Sequence, residues 1–190
     1  MLNNLVIKEW IYETPEALLE LSTFLNSQAD QVNRIEWNTQ EENVHFFLGG
    51  DVRNGTNHLI PSVYHANAVS GVGLMYRIIN VKGFFDELIT RNFNGVTLTF
   101  KLNVMDSLLA KNNQQLIVEA VNGTIKMKES DSYDVEVTID VAELSSLLMG
   151  VVTVQELFML SRIQISDIQY LQALQQFFYV FEKPTCISAF

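Results

Sequence analysis

Basic residues are scarce in this chain: 12 Lys and Arg stand against 22 Asp and Glu, a formal charge of −10. There is no Lys/Arg cluster of the kind that neutralises phosphates, so no nucleic acid partner is expected. Cysteine is scarcer still. The single thiol, Cys186, excludes an internal disulfide and a multi-cysteine zinc site. With no histidine near it in sequence, it reads as a small buried apolar group rather than a nucleophile. No run approaches the roughly 18 consecutive apolar residues of a membrane helix, so no membrane span is expected. The first residues lack the basic and apolar regions of a secretory signal, which makes cytoplasmic the default location. His45, His58 and His65 have no carboxylate or cysteine at a ligand spacing, so no metal is expected. Gly-x-Ser-x-Gly and the Gly-rich dinucleotide and phosphate-loop fingerprints are absent too.

Apolar residues are plentiful. They make up 48% of the 190 residues and include 12 Phe, enough for a substantial core. The organising stretch is Gly95–Asp140. Val96, Leu98, Phe100, Leu102 and Val104 alternate with polar residues, and Leu116–Val121, Thr124–Glu129 and Tyr133–Ile139 continue the pattern. A period of two places apolar side chains on one face of a strand, so these runs predict an antiparallel meander with one covered face. Asn122-Gly123 between two such runs predicts a tight hairpin, because both residues accept a positive φ.

Before the meander, Asn4–Tyr12 and Arg34–Asn38 read as strands. Thr14-Pro15-Glu16 opens a helix between them, with a cap, a first-turn proline and an acid at the positive end of the dipole. Glu41–Leu48 reads as a short helix stopped by Gly49-Gly50, and Asp51–Gly71 as a junction loop. Gly73–Ile79 reads as a strand, and Asn80 caps a helix running to about Thr90. After the meander, Asp140 with Glu143, Thr153 with Glu156 and Ser166 with Gln169 have capping-box spacing and predict three helices, the last over Asp167–Val180. Segregated strands and helices argue for an α+β layer fold. Lys183-Pro184 then forces an extended exit. The apolar tail Thr185–Phe190 reads as docked, and a docked end would give the Phe190 α-carboxylate a fixed position from which it could act as a base.

Met75-Tyr76-Arg77-Ile78-Ile79-Asn80-Val81, the Gly95–Val104 strand, Leu148-Met149-Gly150, and the aromatic last helix with its Pro184-Thr185-Cys186 tail and terminal Phe together resemble one family. It is the C-terminal half of the Eis-like (enhanced intracellular survival) GNAT N-acetyltransferases, which ends in a sterol-carrier-protein-like domain. The resemblance implies a partial second GNAT-like α/β region with the junction loop at 1–72. It further implies an α+β sterol-carrier-protein-like domain, an antiparallel or mixed sheet covered by helices, at 73–190. It makes acetyl-CoA the donor for the family, bound outside this chain, and implies that the acetyltransferase domain is missing here, leaving the chain inactive alone. It suggests a cationic amine acceptor, such as an aminoglycoside or a lysine side chain, and a homo-oligomer. One catalytic group carries over: the C-terminal carboxylate of Phe190 as general base. Asn80 departs from the family in standing where an acid is usual. Two other functions stay open. One is an apolar-ligand module whose cavity is lined by Phe84, Phe85, Phe177, Phe178 and Phe181; the other is an oligomerisation half.

Overall fold

The computed structural model describes residues 3–41, 69, 71, 74–129 and 131–186. The chain divides into two compact units. One is Met1–Leu74 with Thr185–Phe190, the other Met75–Pro184.

In the first unit, β1 (Asn3–Ile7) and β2 (Val32–Trp37) pair in parallel, with α1 (Pro15–Ser27) as the connection. Antiparallel neighbours can turn tightly, but a parallel pair needs a crossover, and a helix supplies it. The Thr14 hydroxyl accepts from the Ala17 amide and Pro15 sits in the first turn, as the spacing predicts. β1 ends at Ile7, short of the expected Tyr12. The expected helix at Glu41–Leu48, all but Gly71 and Val69 of the junction loop, and the three histidines lie outside the described residues.

The second unit is a five-stranded sheet with helices packed on one face. Its strands are β3 (Leu98–Met105), β4 (Gln114–Val121), β5 (Thr124–Lys128), β6 (Val135–Asp140) and β7 (Ile163–Ile165), in the order β5-β4-β3-β6-β7. The helices are α2 (Val81–Glu87), α3 (Val141–Leu148), α4 (Val154–Met159) and α5 (Leu171–Phe178). The mixed α+β class is as expected, but the simple meander is not. β3, β4 and β5 run antiparallel, whereas β6 crosses back and pairs with β3 in parallel, Phe100 opposite Val135. Alternation fixes which face a residue occupies and says nothing about which neighbour its strand chooses. Asn122 and Gly123 turn the β4–β5 hairpin with φ of 49° and 81°.

The covered face holds Leu98, Phe100, Leu102, Val118, Val135, Val137 and Ile139, meeting Val81, Phe85, Leu144, Leu147, Leu174 and Phe177 from the helices. Phe177 stacks on Phe93 with centroids 4.5 Å apart and meets Phe100 edge-on at 4.9 Å. On the other face charges pair across strands. Glu119 on β4 meets Lys126 and Lys128 on β5, and Glu136 on β6 meets Lys101 on β3.

Two helix starts differ from expectation. Glu143 does not close a box with Asp140 but pairs with Arg162, leaving Asp140 to cap Ala142 alone. Ser166 accepts from Glu136 N–H at the sheet instead of capping, and Asp167 caps a 3₁₀ turn that leads into α5. The strand β7 just before it is too short for alternation to register. The Thr153–Glu156 box on α4 is complete.

Candidate functional site

The sequence pattern predicts a strand up to Ile79. The segment from Met75 to Ile79 is extended, but no strand pairs with it among the described residues. A buried polar cluster takes up its backbone groups instead. Ile78 N–H donates to Ser145 Oγ at 2.9 Å, Ile78 O accepts from Asn112 Nδ2 at 3.3 Å, and Val81 N–H donates to Asn112 Oδ1 at 3.2 Å. Asn112 and Ser145 are both fully buried. Buried backbone groups need such partners, and here side chains stand in for a ladder.

Asp106, at the end of β3, is the hub. Its Oδ1 accepts from the Leu108 and Leu109 amides and from Arg77 Nη2 at 2.5 Å, and its Oδ2 accepts from Asn112 Nδ2 at 2.9 Å. Asn113 closes the ring, accepting from the Asp106 amide and donating to its carbonyl, both at 2.7 Å. Burial works against the charge on Asp106. The Leu109 amide, the Asn112 side chain, the Leu108 amide and the Arg77 charge outweigh it and hold its pKa at about 2, below the usual 3.8. Every polar atom of Asp106 is thus spoken for, which marks it as a fastening rather than a reagent.

The fastening matters for the tail. Tyr76, next to Arg77, donates its hydroxyl proton to Pro184 O at 2.7 Å. In the first unit, the Gln40 side-chain amide pairs with the Cys186 backbone: Nε2 donates to its carbonyl at 3.3 Å, and Oε1 accepts its N–H at 3.4 Å. The tail is therefore tied up to Cys186, while Phe190, the one residue given a catalytic role from sequence, lies outside the described residues. Sequence reasoning assigns no role to Tyr76 or Gln40. Each lies more than a hundred positions from its partner, so no spacing rule reaches it. Cys186 is exposed, contrary to the buried thiol expected from its apolar neighbours; its backbone, not its sulfur, makes the contacts.

Two implied ligands can be tested against these side chains. A pyrophosphate seats at a helix N-terminus on free backbone N–H groups. At α1, Pro15 has no N–H, Thr14 already takes the Ala17 amide, and Glu16 puts negative charge in the first turn. The described residues therefore do not fit acetyl-CoA at this helix. An apolar guest between sheet and helices is also a poor fit. Phe85 and Phe177 are fully buried and Phe178 nearly so, their rings touching Phe84, Phe93 and Phe100, so they fill the layer they were expected to line. Phe181, the fifth candidate, is 86% exposed. Among the described residues, no group of three His, Cys, Asp or Glu could hold a metal, and no helix is long and apolar enough to cross a membrane.

Comparison with known proteins gives the frame. Residues 2–77 match an acetyltransferase (GNAT) domain, so the acetyltransferase domain expected to be missing is present. The fold is that of solved acetyltransferases. A GCN5-related N-acetyltransferase from Anabaena variabilis covers 98% of this chain and 44% of its own length at 21% identity, with a TM-score of 0.66. A protein from Enterococcus faecalis described as a probable N-acyltransferase covers 96% and 43% at 20% identity, also with a TM-score of 0.66. A third, a GCN5-related N-acetyltransferase from Kribbella flavida, covers 97% and 43% at 14% identity and a TM-score of 0.64. This chain spans less than half the length of these structures. No curated protein matches it. A sterol carrier protein domain matches residues 81–187, more than half of the chain, and the chain therefore belongs to that family, with a GNAT domain preceding it.

Proposed function

We propose that this chain works in an acetyl-CoA-dependent amine N-acetyltransferase of the Eis-like type. The observation that carries this is the joining of a GNAT domain at 2–77 to a sterol carrier domain at 81–187. In this proposal the boundary falls near residue 72, and the second domain walls the acceptor pocket. Because the α1 start does not fit the donor, donor binding is assigned to other residues of the active assembly. The acidic surface, with its net charge of −10, favours cationic amine acceptors, which it would draw by long-range attraction. The Phe190 α-carboxylate serves as general base: it removes a proton from the acceptor ammonium and leaves a free lone pair for acyl transfer. A cytoplasmic homo-oligomer completes the proposal.

The test is acetyl transfer by the native assembly, purified from its own cells through a tag at the N-terminus of this chain. Transfer to aminoglycoside or lysine-peptide amines, in preference to neutral amines, is expected. An assembly that consumes no acetyl-CoA with any amine refutes the activity. Extending the chain past Phe190 should cut kcat by about a hundredfold or more, as loss of a positioned base does; unchanged turnover refutes the base.

A further inference from the structure

The last described residues are held at two places. Pro184 is tied through its carbonyl to Tyr76, and Cys186 through both of its backbone groups to the Gln40 amide. One planar side chain thereby does for Cys186 what a neighbouring strand would do. Pro184 fixes its own φ near −65°, so little slack lies between the ties. Tyr76 is itself a firm post. The residue after it is clamped to buried Asp106, and the next to Ser145 and Asn112.

We infer that Tyr76 and Gln40 are positioning residues, which set where the chain beyond Cys186 can reach. The inference rests on the proposed role of the Phe190 carboxylate. A base on a tether acts at an effective concentration set by the volume the tether lets it explore. Four residues beyond a fixed Cys186 reach about 14 Å at full extension. Without Gln40 the nearest tie is Pro184, and six residues reach about 21 Å. Without both, the nearest tie is Tyr179 at the end of α5, whose carbonyl accepts from Asn94 Nδ2 at 2.9 Å. Eleven residues then reach about 38 Å. Cubing these lengths dilutes the base roughly threefold for Gln40→Ala and roughly twentyfold for the pair. Tyr76→Phe alone changes little, because the later tie still holds. The ordering is non-additive, which a general loss of stability would not produce.

Cys186 is the only cysteine and is exposed, so a nitroxide attached to it reports on the tail directly. The expected spectrum is broad in the wild-type chain and in Tyr76→Phe, narrower in Gln40→Ala, and narrowest in Gln40→Ala/Tyr76→Phe. In the native assembly kcat should fall in the same order, with KM for the amine within about twofold and Tm unchanged. A narrow wild-type spectrum overturns the inference. So does a double variant whose label is freed while kcat stays at the wild-type value, and that result leaves the acetyltransferase activity standing. An inactive wild-type assembly with a broad spectrum refutes the activity and with it the positioning role, while showing the ties themselves to be real.

Discussion

The two compact units bury their apolar residues on different scales. In Met75–Pro184 one continuous core joins all five strands to the helices, with Phe85, Phe93, Phe100 and Phe177 essentially inaccessible. Among the described residues of the other unit, Ile7 is the one buried apolar side chain, and α1 has none. The sequences do not forecast this contrast, since α1 carries Leu18, Leu19, Leu21, Phe24 and Leu25. The difference lies in what each element has to pack against. Two parallel strands and one helix enclose no interior, whereas five strands with a helical layer do. The unit with the enclosed core is also the one whose polar cluster fastens the Tyr76 segment. A rigid post is built where packing can hold it.

Truncation should break the contrast most severely. Phe177→Ala removes a ring stacked on Phe93 and should cost about 3–5 kcal/mol in denaturant unfolding. If it costs under about 1 kcal/mol, the aromatic layer is loosely packed and could admit an apolar guest after all. Next comes the hairpin. Gly123→Ala places a Cβ against Asn92 Oδ1 and 2.7 Å from the Gly95 nitrogen at φ +81°, and should cost about 1–3 kcal/mol by the same measurement. Thr153→Ala opens the α4 capping box and should cost about 1 kcal/mol. Phe24→Ala, on the exposed face of α1, should stay within about 0.5 kcal/mol. A larger loss there would mean that α1 is covered in the working protein.

The smallest effect at neutral pH is that of Asp106. Its folded pKa is depressed to about 2 from 3.8, so its contribution is fully present above the higher value and is lost as pH falls toward the lower one. Chemical denaturation between about pH 4 and 2 should show the loss in wild type and a flatter profile in Asp106→Asn.

Much of the fold was legible because its signals are local. Thr14-Pro15, Asn122-Gly123 and Thr153 with Glu156 each act within a few residues, and all three form as read. What escaped depends on distant partners. Nothing in β6 says that it runs parallel to β3, and nothing around Ile78 says that Ser145 and Asn112 will replace a strand. Ser166 and Glu143 have cap spacing, but each finds a better partner, Glu136 N–H and Arg162 respectively. The site was legible only in outline: Pro184 announced an extended exit, while the residues that hold the tail, Tyr76 and Gln40, come from far away in the chain.

The outermost strands of the sheet have a consequence for behaviour at high concentration. β7 is three residues long, and β5 carries Lys126 and Lys128 along the opposite margin. A strand from a second molecule adding at either side would find too few backbone groups or a row of ammonium charges. Ribbon-like self-assembly through these margins is thereby discouraged, and concentrated solutions should stay free of cross-β fibres.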